Sequence, residues 1–273
     1  MRRTGLQARF DALARAIALY RGPESRFNER TSGGKEGNAV HIIRLSLHEG
    51  AQKAHGVAVV IDVFRAFTCE PLLYACGAKR ILLEGDIARC LAWKNRAVLV
   101  GEHDEVPIEG FDLTNSPYLI LRRGNAMFAG RTVVHRSTSG VTGALAALDR
   151  ADAVYLGSYV TARATAAAIR ARAPAVVSIV AMGIRSRAPA PEDERCGDYI
   201  EALLTGGAYD HLAALSEILG HETAQKFLRG DKPYLPREDP ALCLQRDLFD
   251  FALEARKGDD GVEAVRVGTG AAD

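Results

Sequence analysis

Val57-Ala58-Val59-Val60-Ile61 is an unbroken apolar run that ends at Asp62-Val63-Phe64-Arg65. A valine-rich run with no polar face is the pattern of a strand covered on both sides. Residues 67–75 follow at helical spacing and stop before Gly77. The same alternation recurs along the chain: residues 40–47, 81–83, 97–100, 132–135, 153–156 and 175–180 read as strands. Helices are expected over 86–95, from the end of the 132–135 strand through Leu148, over 161–173 and near 194–204. Strands and helices alternating at such short intervals predict a mostly parallel sheet with helices on both faces. Residues 212–228 and 240–256 read as terminal helices, and 262–267 as a last edge strand.

Composition narrows the function classes. The 273 residues are 48% hydrophobic and 25% charged, with a net charge of +1, so no global field draws nucleic acid or an anionic membrane. Aromatic residues do not interleave with basic ones, which argues against a single-strand nucleic-acid channel. Cys69, Cys76, Cys90, Cys196 and Cys243 are odd in number and include no CxxC pair. A reduced, cytoplasmic setting fits this better than a disulfide framework. No apolar run reaches the roughly 18–20 residues that span a bilayer. Leu6, Phe10, Leu13, Ile17 and Tyr20 recur at helical spacing, and Gly33-Gly34 and Gly37 mark a polar, glycine-rich stretch. Residues 1–38 therefore read as an amphipathic helix and flexible linker ahead of one domain over 39–273.

In open α/β sheets, ligands lie outside the carboxyl ends of the strands. The polar residues collected there form three groups. Asp62, Glu102 and Asp112 are hard oxygen donors suited to Mg²⁺, which takes a few carboxylates, waters and substrate oxygens. Arg65 and Arg136 suit a phosphate or sulfonate through charge-assisted hydrogen bonds. Ser137-Thr138-Ser139-Gly140 falls where a strand turns into a helix, a place whose hydroxyls and free N–H groups can cradle an anion. Together these are the parts of metal-assisted phosphoester hydrolysis. Each part alone has a plainer reading. Asp62 and Ser137 suit helix caps, Asp112 to Ser116 an Asx turn, and Glu192, Asp193 and Glu194 first-turn acids favoured by the helix dipole.

Rival motifs fail on their own chemistry. Cys90 to Arg96 has Cys-x₅-Arg spacing but lies in an expected helix without the glycine-lined loop that would lower a thiol's pKa. Asp62 has Phe64, not a second aspartate, two residues on. There is no Walker A loop, no GxGxxG and no HExxH.

The motifs as a string resemble one family. Val59-Val60-Ile61-Asp62-Val63-Phe64-Arg65-Ala66 is similar to the VVIDVLRAT signature of the 2-phosphosulfolactate phosphatase family. Gly101-Glu102-His103 resembles its GER element, and Gly110-Phe111-Asp112-Leu113-Thr114-Asn115-Ser116-Pro117 its GFDLGNSP element. Arg136 to Gly140, Gly157-Ser158 and Glu192 to Cys196 are similar to later elements, in order, from about residue 40 to 250. The resemblance implies a three-layer α/β/α fold with a mostly parallel or mixed central sheet. It also implies a Mg²⁺-dependent phosphatase converting 2-phospho-3-sulfolactate to 3-sulfolactate and phosphate, a step of coenzyme M biosynthesis. The resemblance puts Asp62, Arg65, Glu102, Asp112, Asn115 and Ser137 to Gly140 at the site. Ligand chemistry then assigns Asp62, Arg65 and Glu102 to catalysis and Arg65, Asn115, Arg136, Ser137, Thr138, Ser139 and Gly140 to the substrate. Asp62, Glu102 and Asp112 are then the expected metal ligands. The expected partner is a small anionic phosphoester, with no nucleic acid or membrane, and self-association is left open.

Three departures bear on the substrate. Phe64 and Phe67 stand where the family has leucine and threonine, and His103 where it has arginine. A titratable histidine in place of a permanent cation weakens the case for a multiply charged anion. The alternative is a non-catalytic anion-binding protein on the same fold.

Overall fold

The computed structural model describes residues 40–268; the helix and linker expected over 1–38 lie outside the described residues. The strands are β1 His41–Ser46, β2 Gly56–Ile61, β3 Arg80–Leu83, β4 Val98–His103, β5 Val106–Pro107, β6 Thr132–Arg136, β7 Ala151–Gly157, β8 Val176–Ala181, β9 Phe251–Gly258 and β10 Gly261–Gly268. They form one mixed, mostly parallel sheet in the order β1-β8-β2-β7-β9-β10-β3-β6-β4-β5. The helices between them are α1 Leu47–Lys53, α2 Ala66–Ala75, α3 Ile87–Leu91, α4 Pro117–Arg123, α5 Asn125–Phe128, α6 Gly140–Ala147 and α7 Ala162–Arg172. After β8 come α8 Pro191–Thr205, α9 His211–Gly220, α10 Glu222–Arg229 and α11 Asp239–Cys243.

The apolar run that opens the chain's reading is the buried strand it looks like. Val57 to Ile61 are all buried. Val57, Val59 and Ile61 face one side, where α7 and α8 cover them with Ile169, Cys196, Tyr199 and Ile200. The other side of β2 and β7 meets α6, which packs against α1. Three layers result, an α/β/α fold. Each fully buried valine or isoleucine contributes about 1.5–3 kcal/mol. The five cysteines are free and buried, and no helix among the described residues is long and apolar enough to cross a membrane.

The sheet consists of two parallel sets. β1, β8, β2 and β7 run together, as do β3, β6 and β4. The β9–β10 hairpin is inserted between them and is antiparallel to its neighbour on each side. Counted through these pairings, the two sets run in opposite senses. The ladders that attach the hairpin are only two residue pairs long on each side, which leaves the sheet free to twist strongly there. The helix α6 runs from the end of β6 to pack on β2 and β7, and residues from the ends of β2, β4, β6 and β8 line one cleft.

Three expectations are corrected here. Residues 240–256 are not one helix: α11 ends at Cys243, and Phe251 to Ala255 are a buried strand. The helix-favouring Ala-Leu-Glu-Ala-Arg composition loses to ladder bonds with β7 and β10 and to burial. Glu254 is tolerated there because Arg172 lies 2.7 Å and Arg256 2.8 Å from its carboxylate. For the same reason β10 is central rather than an edge strand. The 212–228 helix is also split, with His221 capping α10 by accepting the Thr223 N–H at 3.3 Å.

Candidate active site

The cleft is walled by Asp62, Phe64 and Arg65 after β2, Glu102 and Glu105 around the β4–β5 turn, and Asn115. Ser137 to Ser139 before α6, Gly183 to Arg185 after β8, Glu192 and Asp193 at the start of α8, and Lys226 on α10 complete it.

Asp62 caps two helices at once. Its Oδ1 accepts the Ala66 N–H of α2 at 3.2 Å, and its Oδ2 accepts the Gly140 N–H of α6 at 2.7 Å. Gly140 has to be glycine for this approach, since a Cβ there would stand 2.7 Å from Asp62 Oδ2. Glu102 is held in the same way: its Oε1 accepts the Thr138 N–H at 2.6 Å, and its Oε2 accepts the Thr138 hydroxyl at 3.2 Å and the Glu105 N–H. Ser137 Oγ accepts the Val141 N–H at 2.8 Å. The N–H groups expected to cradle an external anion at residues 137–140 are therefore largely taken by the protein's own carboxylates. Gly140 gives its N–H to Asp62 and is not on the cleft wall.

Asp193 lies across from Asp62 and accepts the Val63 and Gly183 N–H groups, each at 2.8 Å. Beside it, Glu192 accepts the Thr223 hydroxyl at 2.8 Å. Among the described residues no ion pair reaches Asp62, Glu102, Glu192 or Asp193. Burial, despite two backbone hydrogen bonds and with Glu102 nearby, pushes Asp62 up to about 6. Burial raises Glu192 to about 7, and burial with Glu192 and Asp62 beside it raises Asp193 well above the ordinary range. Like-charged acids crowded out of water are the condition a bound cation relieves. Among the described residues no three His, Cys, Asp or Glu side chains are preassembled around one point. The donor chemistry fits a cation that takes one or two carboxylates and completes its shell with water and substrate oxygens, as Mg²⁺ does.

Arg65 is buried and largely committed. Its Nη1 donates to Asp239 Oδ2 and to the Tyr234 carbonyl, each at 2.9 Å, and its guanidinium lies 5.3 Å from the centre of the Phe227 ring. Asp239 also accepts the Ser116 hydroxyl at 2.8 Å and the Tyr118 N–H at 3.0 Å. Behind the wall, His135 bridges Glu70 and Asn115. Asn115 Nδ2 donates to the Arg136 carbonyl at 3.2 Å, so its Oδ1 is the acceptor for His135 Nε2 at 2.9 Å. His135 Nδ1 then meets Glu70 Oε1 at 2.9 Å, and a proton must lie between them. Burial raises Glu70, which favours keeping that proton.

Besides Gly140, two more expected site residues are off the cleft wall. Asp112 is exposed and off the cleft wall; its Oδ2 accepts the Leu99 N–H at 2.8 Å and closes the loop onto β4. The structure does not bring it to Asp62 and Glu102. Arg136 is buried and is not on the wall either. It donates to the Glu102 carbonyl, to Thr138 Oγ1 at 2.9 Å and to the Gly85 carbonyl at 3.3 Å, so it braces the loop rather than facing a ligand. Of the three departures seen in the sequence, Phe64 lines the wall, while Phe67 is fully buried and His103 is exposed, both off it.

A family model described as 2-phosphosulpholactate phosphatase matches residues 43–258. The chain belongs to the 2-phosphosulfolactate phosphatase family. A protein of Bacillus subtilis (strain 168) named "Probable 2-phosphosulfolactate phosphatase" is 31% identical over 207 residues, spanning 74% of this chain and 87% of its own. Proteins of the same name from Caldicellulosiruptor saccharolyticus and Thermus thermophilus are 32% and 31% identical, over 73% and 78% of this chain and 88% and 84% of theirs. The family match takes in every cleft-lining residue, from Asp62 to Lys226. The sequence marks Glu192 and Asp193 as first-turn acids and as part of a family-like element, without assigning them to the site. It has no signal for Glu105, Arg185, Lys226 or Asp239, which reach the site from a turn, a loop and two late helices.

Proposed function

We propose that this member of the 2-phosphosulfolactate phosphatase family is a Mg²⁺-dependent phosphatase of a small, highly anionic phosphoester, 2-phospho-3-sulfolactate, releasing 3-sulfolactate and phosphate. The observation that carries the reading is the set of buried carboxylates, Asp62, Glu102, Glu192 and Asp193, gathered at strand and helix ends without paired cations. A polyanionic substrate would be repelled by such a wall, and a metal ion converts it into a binding site.

Asp62 and Glu102 are the ligands proposed for Mg²⁺, each oriented by backbone N–H groups that leave further lone pairs unused. Held there, the ion supplies Lewis-acid neutralisation of charge on the transferring phosphoryl group. Arg65, fixed by Asp239, adds a positive charge at the wall. Asn115, fixed by His135, orients the substrate. Glu192, raised to about 7, exchanges a proton near neutral pH and is the group suited to take one from attacking water. Membership of the coenzyme M route follows only if sulfolactate is the physiological product.

Phosphate release from 2-phospho-3-sulfolactate, with Mg²⁺ and then with excess chelator, tests this. Saturable release that chelator abolishes is expected. Ligand-induced thermal stabilisation without any release would instead support the anion-binding alternative.

A further inference from the structure

We propose that Lys226 and Arg185 form a second anion subsite at the cleft mouth, which Glu105 fills until substrate displaces it. This rests on the phosphatase reading and assigns the residues that read the substrate's second strongly acidic group, a sulfonate or carboxylate.

The three side chains come from remote segments. Glu105 is on the β4–β5 turn, Arg185 in the loop after β8 and Lys226 on α10. They meet in one arrangement: Glu105 Oε1 pairs with Lys226 Nζ, and Oε2 lies 3.0 Å from Arg185 Nη2. Each carboxylate oxygen thus has its own cation, the geometry a sulfonate or carboxylate would take. All three residues line the same cleft as Asp62 and Glu102. Their side chains are 26%, 41% and 19% exposed for Glu105, Arg185 and Lys226, so this ion pairing is open to exchange, unlike the buried Arg65–Asp239 pair. Burial would raise Glu105, yet Lys226 and Arg185 together hold it below its ordinary value. It is an anion already seated between two cations.

Charge accounting points the same way. Arg65, Arg185 and Lys226 are the cations among the described cleft-lining residues, and Arg65 is engaged by Asp239 and the Tyr234 carbonyl. Lys226 and Arg185 are the pair left to an anionic substrate tail, and they supply charge that His103, exposed and off the wall, does not. A simple phosphomonoester has no tail to displace Glu105.

The test compares kcat/KM for 2-phospho-3-sulfolactate, 2-phospholactate and p-nitrophenyl phosphate in wild type, Lys226→Met, Arg185→Met and Glu105→Gln, with Tm as a folding control. Lys226→Met and Arg185→Met should each cut the preference for the tailed substrates over p-nitrophenyl phosphate by about tenfold or more. The loss should fall on KM more than kcat. Glu105→Gln should lower KM for the tailed substrates. The sulfonate and carboxylate arms tell which group is read. If wild type hydrolyses 2-phospho-3-sulfolactate and these ratios do not move, the subsite is wrong and the phosphatase reading stands. If wild type releases no phosphate, the phosphatase reading fails, and calorimetric titration with 3-sulfolactate decides the subsite. Binding weakened about tenfold in Lys226→Met supports it; unchanged or absent binding overturns it.

Discussion

Asp62 Oδ2 accepts the backbone N–H of Gly140 at 2.7 Å, which ties the end of one parallel strand set to the end of the other through a single carboxylate. Gly140→Ala should therefore act on the site and not only on packing. Its Cβ would meet the Asp62 carboxylate, which α2 already holds from the far side. Overpacking of this kind costs about 1–3 kcal/mol, and a displacement of Asp62 near 1 Å lowers kcat by about 10²-fold. Thermal melts and phosphate-release kinetics on the same preparation check both.

Arg65 and Asp239 form a pair with side chains only 4% and 0% exposed. Asp239→Ala leaves a buried guanidinium uncompensated and should destabilise the fold by about 3–5 kcal/mol. Asp239→Asn retains an acceptor for Ser116 and Tyr118 and should lose less. Urea midpoints for the two variants, compared with wild type, read the difference.

Removing His135 alone should be worse for stability than removing it with its partner. His135→Phe strands Glu70, which already has one oxygen without a partner, and the loss should be about 1–3 kcal/mol. Adding Glu70→Leu should recover much of that stability. It should not recover kcat/KM, because Asn115 still lacks the donor that fixes it. Denaturant melts and kinetics on both variants separate the two roles.

Glu192 gives a pH dependence of defined sign. Its folded-state value, about 7, lies above the ordinary 4.5, so the folded chain binds the proton more tightly than the unfolded one. Stability from this group is fully present below about pH 4.5 and is lost as pH rises toward 7. In metal-free protein, Glu192→Gln should match wild type most closely near pH 4. It should gain over wild type up to pH 8, by up to about 3 kcal/mol. Melting temperatures across that range measure it.

Much of this architecture is legible in the sequence because buried parallel strands have a one-dimensional signature. The run before Asp62 is apolar whichever face it presents, and the helices after β2, β6, β7 and β8 begin close to where turn residues place them. The β9 strand hides because Phe251 to Arg256 has helical composition, and only its two neighbours make it a strand. At the site, strand-end position locates Asp62, Arg65, Glu102 and Ser137 to Ser139 well. It says nothing of which way a side chain bonds, so Asp112 and Arg136 look like ligands but are fastened to Leu99 and to the Glu102 carbonyl. Lys226 carries no local signal at all: on its helix it is one more exposed-looking lysine, and only the fold sets it against Glu105.

The most direct test is inorganic phosphate released from 2-phospho-3-sulfolactate in Mg²⁺ by wild type and by Asp62→Asn, a near-isosteric change that removes the charge and keeps one of the two acceptors. Saturable release by wild type, reduced by about 10²-fold or more in a variant that still melts cooperatively, is the expected result. Equal rates in the two proteins, or no release by folded wild type, would contradict a metal-dependent phosphatase site centred on Asp62.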